Sequence, residues 1–121
     1  MADYTEVFAG GPFTSQASAT ITAGQLLEVS GSGTVGPAGA ASTKVVGLAG
    51  HDAASGAKVT VLSDGLVFES ATPTGVTAGD VLSAVAAGAG VDPIGAGAFG
   101  TRIGIALTTA AAAGTTRWLF K

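Results

Sequence analysis

The chain carries much the same passage twice, and this restricts its fold more than any other feature. Thr22-Ala23-Gly24-Gln25-Leu26-Leu27 recurs as Thr77-Ala78-Gly79-Asp80-Val81-Leu82. Each copy is followed by an apolar run around a glycine, Val45-Val46-Gly47-Leu48-Ala49 and Ile103-Gly104-Ile105-Ala106-Leu107. An alanine-rich turn comes next, Asp52 to Gly56 or Thr109 to Gly114, and then a closing segment, Lys58 to Leu62 or Thr116 to Phe120. Two copies are too few for a solenoid, which needs about three repeats or more. They suit one compact domain with a pseudo-twofold core.

A chain of 121 residues is about one domain. Charged residues make up 11% of it, against roughly 25% in an ordinary soluble protein. A surface with so few charges and so many small side chains is expected to be covered in large part by neighbouring subunits. A small monomer solvated by Thr and Ser is the alternative. Net charge is −3, and the five basic residues, Lys44, Lys58, Arg102, Arg117 and Lys121, form no run. Phosphate binding needs a basic patch, so nucleic acid is not an expected partner. With no cysteine there is neither a disulfide framework nor a thiolate metal site. Asp3 and Glu6 stand where a secretory signal carries Lys or Arg, and Val81 to Val91 is too short and glycine-rich to span a bilayer. Synthesis in the cytosol and no membrane partner are expected.

Residues 1–19 lie outside both copies. They hold Tyr4, Phe8 and Phe13, interrupted by Gly10-Gly11-Pro12, which breaks regular structure. Burying three aromatics yields about 1.5–3 kcal/mol each, whereas ordering the backbone costs about 1–2 kcal/mol per residue. The aromatics alone lose that comparison. The segment is therefore expected to be an extended arm that becomes ordered when a partner pairs its backbone, as in strand addition.

From residue 20 onward, short apolar runs alternate with Gly, Ser, Thr and Pro, the pattern of an all-β barrel or sandwich. Strands are expected at 19–22, 25–30, 44–49, 58–63, 66–69, 80–85, 102–107 and 116–120, with Ser63-Asp64-Gly65 as a hairpin turn. Asp52 and Thr108/Thr109 are candidate caps for single helical turns that exit at Gly56 and Gly114. Residues 35–42 and 88–100 are read as loops. Gly104 and Ala106 give one strand a flat face, suited to close contact with another sheet or subunit.

Signals for chemistry are weak. Gly95-Ala96-Gly97-Ala98-Phe99-Gly100 has the letters of a dinucleotide motif but lacks the preceding strand, the following helix and the later acidic residue. His51-Asp52 is the only His-Asp pair, in a glycine-flanked turn beside Ser55, and nothing completes a triad. One histidine and eight scattered carboxylates show no metal-ligand spacing. No catalytic residue, metal or cofactor is expected. Trp118 and Phe120 share one face of the last strand. Core packing is the default reading for them, and an oligomer interface the sharper one.

The Thr-Ala-Gly-Gln-Leu-Leu segment, the Val45 to Leu62 stretch, the second Thr-Ala-Gly-Asp-Val-Leu and the terminal Ile-Gly-Ile-Ala-Leu together resemble the capsid decoration, or cement, proteins of tailed phages, over residues 20–121. The resemblance implies a compact, often trimeric β-domain that clamps major capsid protein subunits on the outside of an icosahedral head.

The expected architecture is thus all-β: a small barrel or β-tulip-like domain at 20–121 with an internal pseudo-duplication, preceded by a capsid-binding arm at 1–19. Tyr4, Phe8 and Phe13 are the candidate capsid contacts, and Trp118 and Phe120 the candidate interface of a homotrimer on the virion surface. The other reading is a carbohydrate- or receptor-binding β-module of a fibre or surface layer. It is disfavoured because the chain has no Asn and, past the arm, only Gln25 as a carboxamide.

Overall fold

The computed structural model describes residues 12–63, 65–94 and 99–121, and in it the duplication reaches further than the sequence motifs show. The first repeat contributes β1 (Phe13–Ala17), β2 (Leu26–Gly31), β3 (Thr34–Pro37), β4 (Val45–Ala49) and β5 (Lys58–Leu62). These strands close into a barrel in the order β1-β3-β2-β4-β5. The second repeat contributes β6 (Val67–Thr72), β7 (Val81–Ala84), β8 (Val91–Pro93), β9 (Gly104–Ala106) and β10 (Gly114–Phe120), and forms a sheet in the matching order β6-β10-β9-β7-β8. The registers correspond pair by pair. Phe13 faces Val61 as Phe68 faces Trp118, Leu26 faces Leu48 as Val81 faces Ile105, and Leu48 faces Leu62 as Ile105 faces Leu119. The expected all-β fold with a barrel is observed.

Part of the segment expected to be an arm belongs to the barrel. Residues 13–17 form β1, antiparallel to β5 and parallel to β3. The entropy argument assumed that a backbone partner had to come from outside, but β3 and β5 of the same chain supply it. The partly buried Phe13 side chain packs on the barrel's own cluster, beside Val59 and Val61 among others. Residues 1–11, which include Tyr4 and Phe8, lie outside the described residues. Two further strands, β3 and β8, run where loops are expected, and 19–22 is reduced to a single bridge, Ile21 to Ala53.

The Thr-Ala-Gly motif recurs because it builds a β-turn with a positive-φ third residue. Gln25 N–H donates to Thr22 O at 3.1 Å and Asp80 N–H to Thr77 O at 2.9 Å, with Gly24 and Gly79 at φ +83° and +94°, a backbone region that glycine enters without a Cβ penalty. Fourth-position side chains reach back: Thr22 N–H donates to Gln25 Oε1 at 2.9 Å, and Thr77 N–H to Asp80 Oδ2 at 2.8 Å. Asp52 and Thr109 cap no helix. Their side-chain oxygens accept the Ala23 and Ala78 N–H groups at 2.7 and 3.0 Å, which locks each turn to the alanine-rich loop of its own repeat. The left-handed exit of the second alanine-rich loop is Ala113, at φ 63°, and not Gly114, the first residue of β10.

Among the described residues, two apolar clusters form the interior. One lies inside the barrel, with Ile21, Leu27, Val35, Val59 and Val61. The other combines second-repeat residues, among them Leu82, Val91, Ile103, Trp118 and Phe120, with Leu26, Ala38 and Leu48 from the barrel's outer surface. The sheet also grips the barrel through its 85–90 connection, which contains the short 3-10 turn Ala86–Gly88. There Gln25 Nε2 donates to Ala87 O at 2.8 Å, and a Cβ on Gly88 would overlap the Leu26 backbone.

The flat face of β9 turns inward, and the molecule's own tryptophan occupies it. Gly104 and Ala106 are buried, Ala106 is the cross-strand partner of Trp118, and a Cβ on Gly104 would overlap both the Leu119 carbonyl and the Trp118 ring. Gly47 occupies the equivalent site against Leu62 and Val61. Because the obstruction is backbone, Gly104→Ala is expected to destabilise the fold by about 2–3 kcal/mol in a urea titration.

Glu28 staples the 39–44 loop to β2. Its Oε1 accepts the Gly39 N–H at 2.8 Å, and Lys44 Nζ lies 3.9 Å from Oε2. The Gly39 hydrogen bond above all, then the Ser42 side chain, with help from the Lys44 charge, hold the carboxyl below its ordinary value despite some desolvation. A lowered folded value means that the unfolded chain binds the proton more readily. This stabilisation is therefore complete above the ordinary carboxylate range and is lost as pH falls through the lowered value. Melting temperatures measured from pH 7 down to pH 3 are expected to fall less steeply in Glu28→Gln than in the parent protein.

Candidate functional site

The side chains outside the sheet differ in kind from those outside the barrel. Directly paired residues of adjacent strands share a face, and the register places Val67, Leu119, Ile105 and Val81 side by side across β6, β10, β9 and β7. Ile94 N–H donates to Val81 O at 2.9 Å, which brings Ile94 alongside at the end of β8. A single aliphatic row thus crosses the whole sheet on the face opposite Trp118. Val67 is 56% exposed, and the other four are half-buried. Neighbouring strands lie about 4.8 Å apart, so the row is roughly 19 Å long. Leu107, 48% exposed, lies next to it across from Arg117, whose backbone O accepts its N–H. Beside the row Arg117 Nε donates to Glu69 Oε1 at 2.9 Å, a surface pair worth about 0–1 kcal/mol.

Trp118 and Phe120 are not available for an interface. Trp118 is fully buried and Phe120 is 8% exposed, because their face of β10 closes the shared core. Trp118 Nε1 donates to buried Ser70 Oγ at 2.9 Å. Phe68, Trp118 and Phe120 form a mutually packed trio with ring centroids 5.5 to 6.3 Å apart, each such pair contributing about 0.5–1.5 kcal/mol beyond area burial. The core reading holds for both, and the residues between and beside them, Leu119 and Ile105, are the ones that face outward. Phe13 sits at the head of β1, packed on the barrel, whereas Tyr4 and Phe8 fall outside the described residues.

The remaining candidates carry no assembled chemistry. His51 lies in an exposed turn, paired through Nδ1 with Asp52 O at 2.8 Å, and its Nε2 accepts the Thr60 N–H at 3.1 Å. That arrangement uses both ring nitrogens to hold backbone. Among the described residues, no three His, Cys, Asp or Glu side chains group as metal ligands. Of the glycine-rich 95–100 stretch, the described part begins a 3-10 turn at Phe99–Thr101 and opens no helix. Two depressions occupy matching places in the two repeats, one beside Ile21, Asp52 and Ala53, the other beside Val76, Thr109 and Ala110, and their polar groups are those already engaged in the turns.

The outward row is legible in the sequence only after the repeats are aligned in full. Phe13-Thr14-Ser15 and Phe68-Glu69-Ser70 share the offset of the Thr-Ala-Gly motifs, and that match identifies β1 as the counterpart of β6. Trp118→Ala is expected to cost about 3–5 kcal/mol of stability, read as a shift of the urea midpoint, and this size of loss separates a core role from a surface one.

A family model described as phage cement protein matches residues 8–120. A comparison with curated proteins finds none that matches. Among solved structures, the N base of head fiber gp8.5 of bacteriophage phi29 aligns with a TM-score of 0.67 over 91% of this chain and 92% of that one, at 16% sequence identity. The likeness is one of fold: a phage head-fibre base and this chain share the β architecture described above. With the family match running from ahead of β1 to the end of β10, the chain belongs to the phage cement protein family.

Proposed function

We propose that this protein is a structural capsid decoration protein that binds the outside of an icosahedral phage head where major capsid protein subunits meet, and stabilises the shell. The observation that carries this reading is the family match over residues 8–120. The body suits the task physically. Two β-repeats fused through one apolar cluster give a stiff unit whose sparse charge, 11% of residues, favours close contact with neighbouring proteins over solvation. Its role is mechanical and not catalytic.

In this proposal the protein acts as a homotrimer, made in the host cytoplasm and carried on the outer capsid surface. The segment ahead of β1 makes first contact with the major capsid protein through Tyr4 and Phe8, with Phe13 anchoring its base on the barrel. Weak individual contacts act together, because linking several of them in one assembly raises the effective concentration of each later one. Few ionic groups take part, so binding depends only weakly on salt.

The test is co-sedimentation with undecorated heads of the parent phage. Full-length protein is expected to bind, and a variant lacking residues 1–11 to bind about tenfold or more weakly, since losing one anchoring aromatic contact already costs that much. Equal binding removes the arm from the proposal, and failure of the full-length protein to bind removes the proposal itself.

A further inference from the structure

The barrel closes at a place where the second repeat stays open. Residues 13–25 align with 68–80 and residues 34–37 with 90–93, so β6 stands where β1 does and β8 where β3 does. In the barrel, β3 runs parallel to β1 at Gln16 and Ala17, and Ser18 N–H donates to Val35 O at 2.9 Å. Pro73 takes the place of Ser18 in the second repeat and has no N–H to offer Val91. With that bond missing, β8 meets only the far end of β6, where a Cβ on Gly90 would overlap the Ala71 carbonyl, and no ladder joins the two strands.

The consequence is a strand edge with free main-chain groups. Among the described strands, β6 pairs with β10 alone, and Phe120 N–H donates to Leu66 O at 3.0 Å. Antiparallel alternation then turns the main chains of Phe68, Ser70 and Thr72 toward β10 and those of Val67, Glu69 and Ala71 away from it. These last three residues are exposed, and no described residue bonds to their main-chain groups. Beside them lies a cleft of about 400 Å³, lined by residues 69–71, the 22–25 turn, Gly88 and Ala89.

We infer that this edge and its cleft are a strand-addition site, and that the occupant is an extended segment of the major capsid protein. This rests on the cement role proposed above and says how the folded body, as distinct from the segment ahead of β1, holds its partner. The class of occupant follows from the groups on offer: N–H and C=O of alternate residues, in line and unpaired, are matched along their length by another extended backbone. The same edge of β1 takes such a strand within the chain, namely β3. Small side chains at Ala23, Gly24, Ala71, Gly88 and Ala89 leave room for those of the incoming strand. An aliphatic residue set opposite Val67, which is 56% exposed, extends the outward row by one strand and fixes the register. A second copy is a poor occupant. Two β6 edges paired about Glu69 set that carboxylate against itself, and like charges directly opposite destabilise a strand pair.

The experiment measures binding of the full chain to undecorated heads. Ala71→Pro removes one outward N–H, sets a ring in the slot and spares the β10 ladder, and it is expected to bind about tenfold or more weakly than the parent. A second measurement uses the parent alone and does not depend on how the proline variant folds. Amide hydrogen exchange at Val67, Glu69 and Ala71 is expected to slow about tenfold or more when heads are bound, and weaker binding of Ala71→Pro supports the inference only together with that slowing. A parent that binds heads with unchanged exchange at all three amides, or an Ala71→Pro variant that binds as tightly as the parent, overturns the inference and leaves the cement role standing. The same amides slowing in concentrated protein without heads assigns the edge to a second copy and overturns it as well. A parent that fails to bind heads removes both proposals.

Discussion

One apolar contact makes a single body out of two repeats. Leu26, Ala38 and Leu48 project from the outside of the barrel into the cluster that contains Trp118, Phe120, Leu82 and Ile103. Neither repeat alone encloses the same core. The barrel closes on itself through the parallel pairing of β1 and β3, but its outer row needs cover. The sheet has no bonded ladder between β6 and β8 and obtains its interior partly from the barrel. A modest chain can thus sustain two small cores, since each repeat supplies surface that the other buries.

The Trp118 pocket shows how size is distributed in this arrangement. Counterpart positions hold Val61 in the barrel and Trp118 in the sheet, and the β9 residues opposite are Gly104 and Ala106. A large ring fits because the facing strand is stripped to almost nothing, in line with the close packing of protein interiors. The same local exchange of bulk explains Gly47 in the barrel, where a Cβ would overlap Leu62 and Val61. Polar groups inside are few and mostly paired, as with Ser70 and the Trp118 indole. Thr72 Oγ1 is buried without a partner where the first repeat places Ala17.

Electrostatics contributes at the margins. The two described salt bridges, Lys44 with Glu28 and Arg117 with Glu69, lie at the surface, and only the first fastens a loop. A body held by burial and strand pairing, with an aliphatic strip on one face, is suited to contact with other proteins.

What the amino-acid sequence settled by itself was local. The Thr-Ala-Gly turns, the short strands between glycines and the duplication follow from backbone preferences and side-chain period, which act over a few residues. Family membership was legible in the same short motifs. The pairing partner of β1, the existence of β3 and β8, the inward turn of Gly104 and Ala106 and the burial of Trp118 were decided only by the tertiary structure. Each of these depends on which distant strand lies alongside, and a strand's exposed face and its buried face look alike in sequence when both are apolar. For Trp118 both a core and an interface reading stood open until the register of β9 against β10 placed it inside and put Ile105 and Leu119 on the other face.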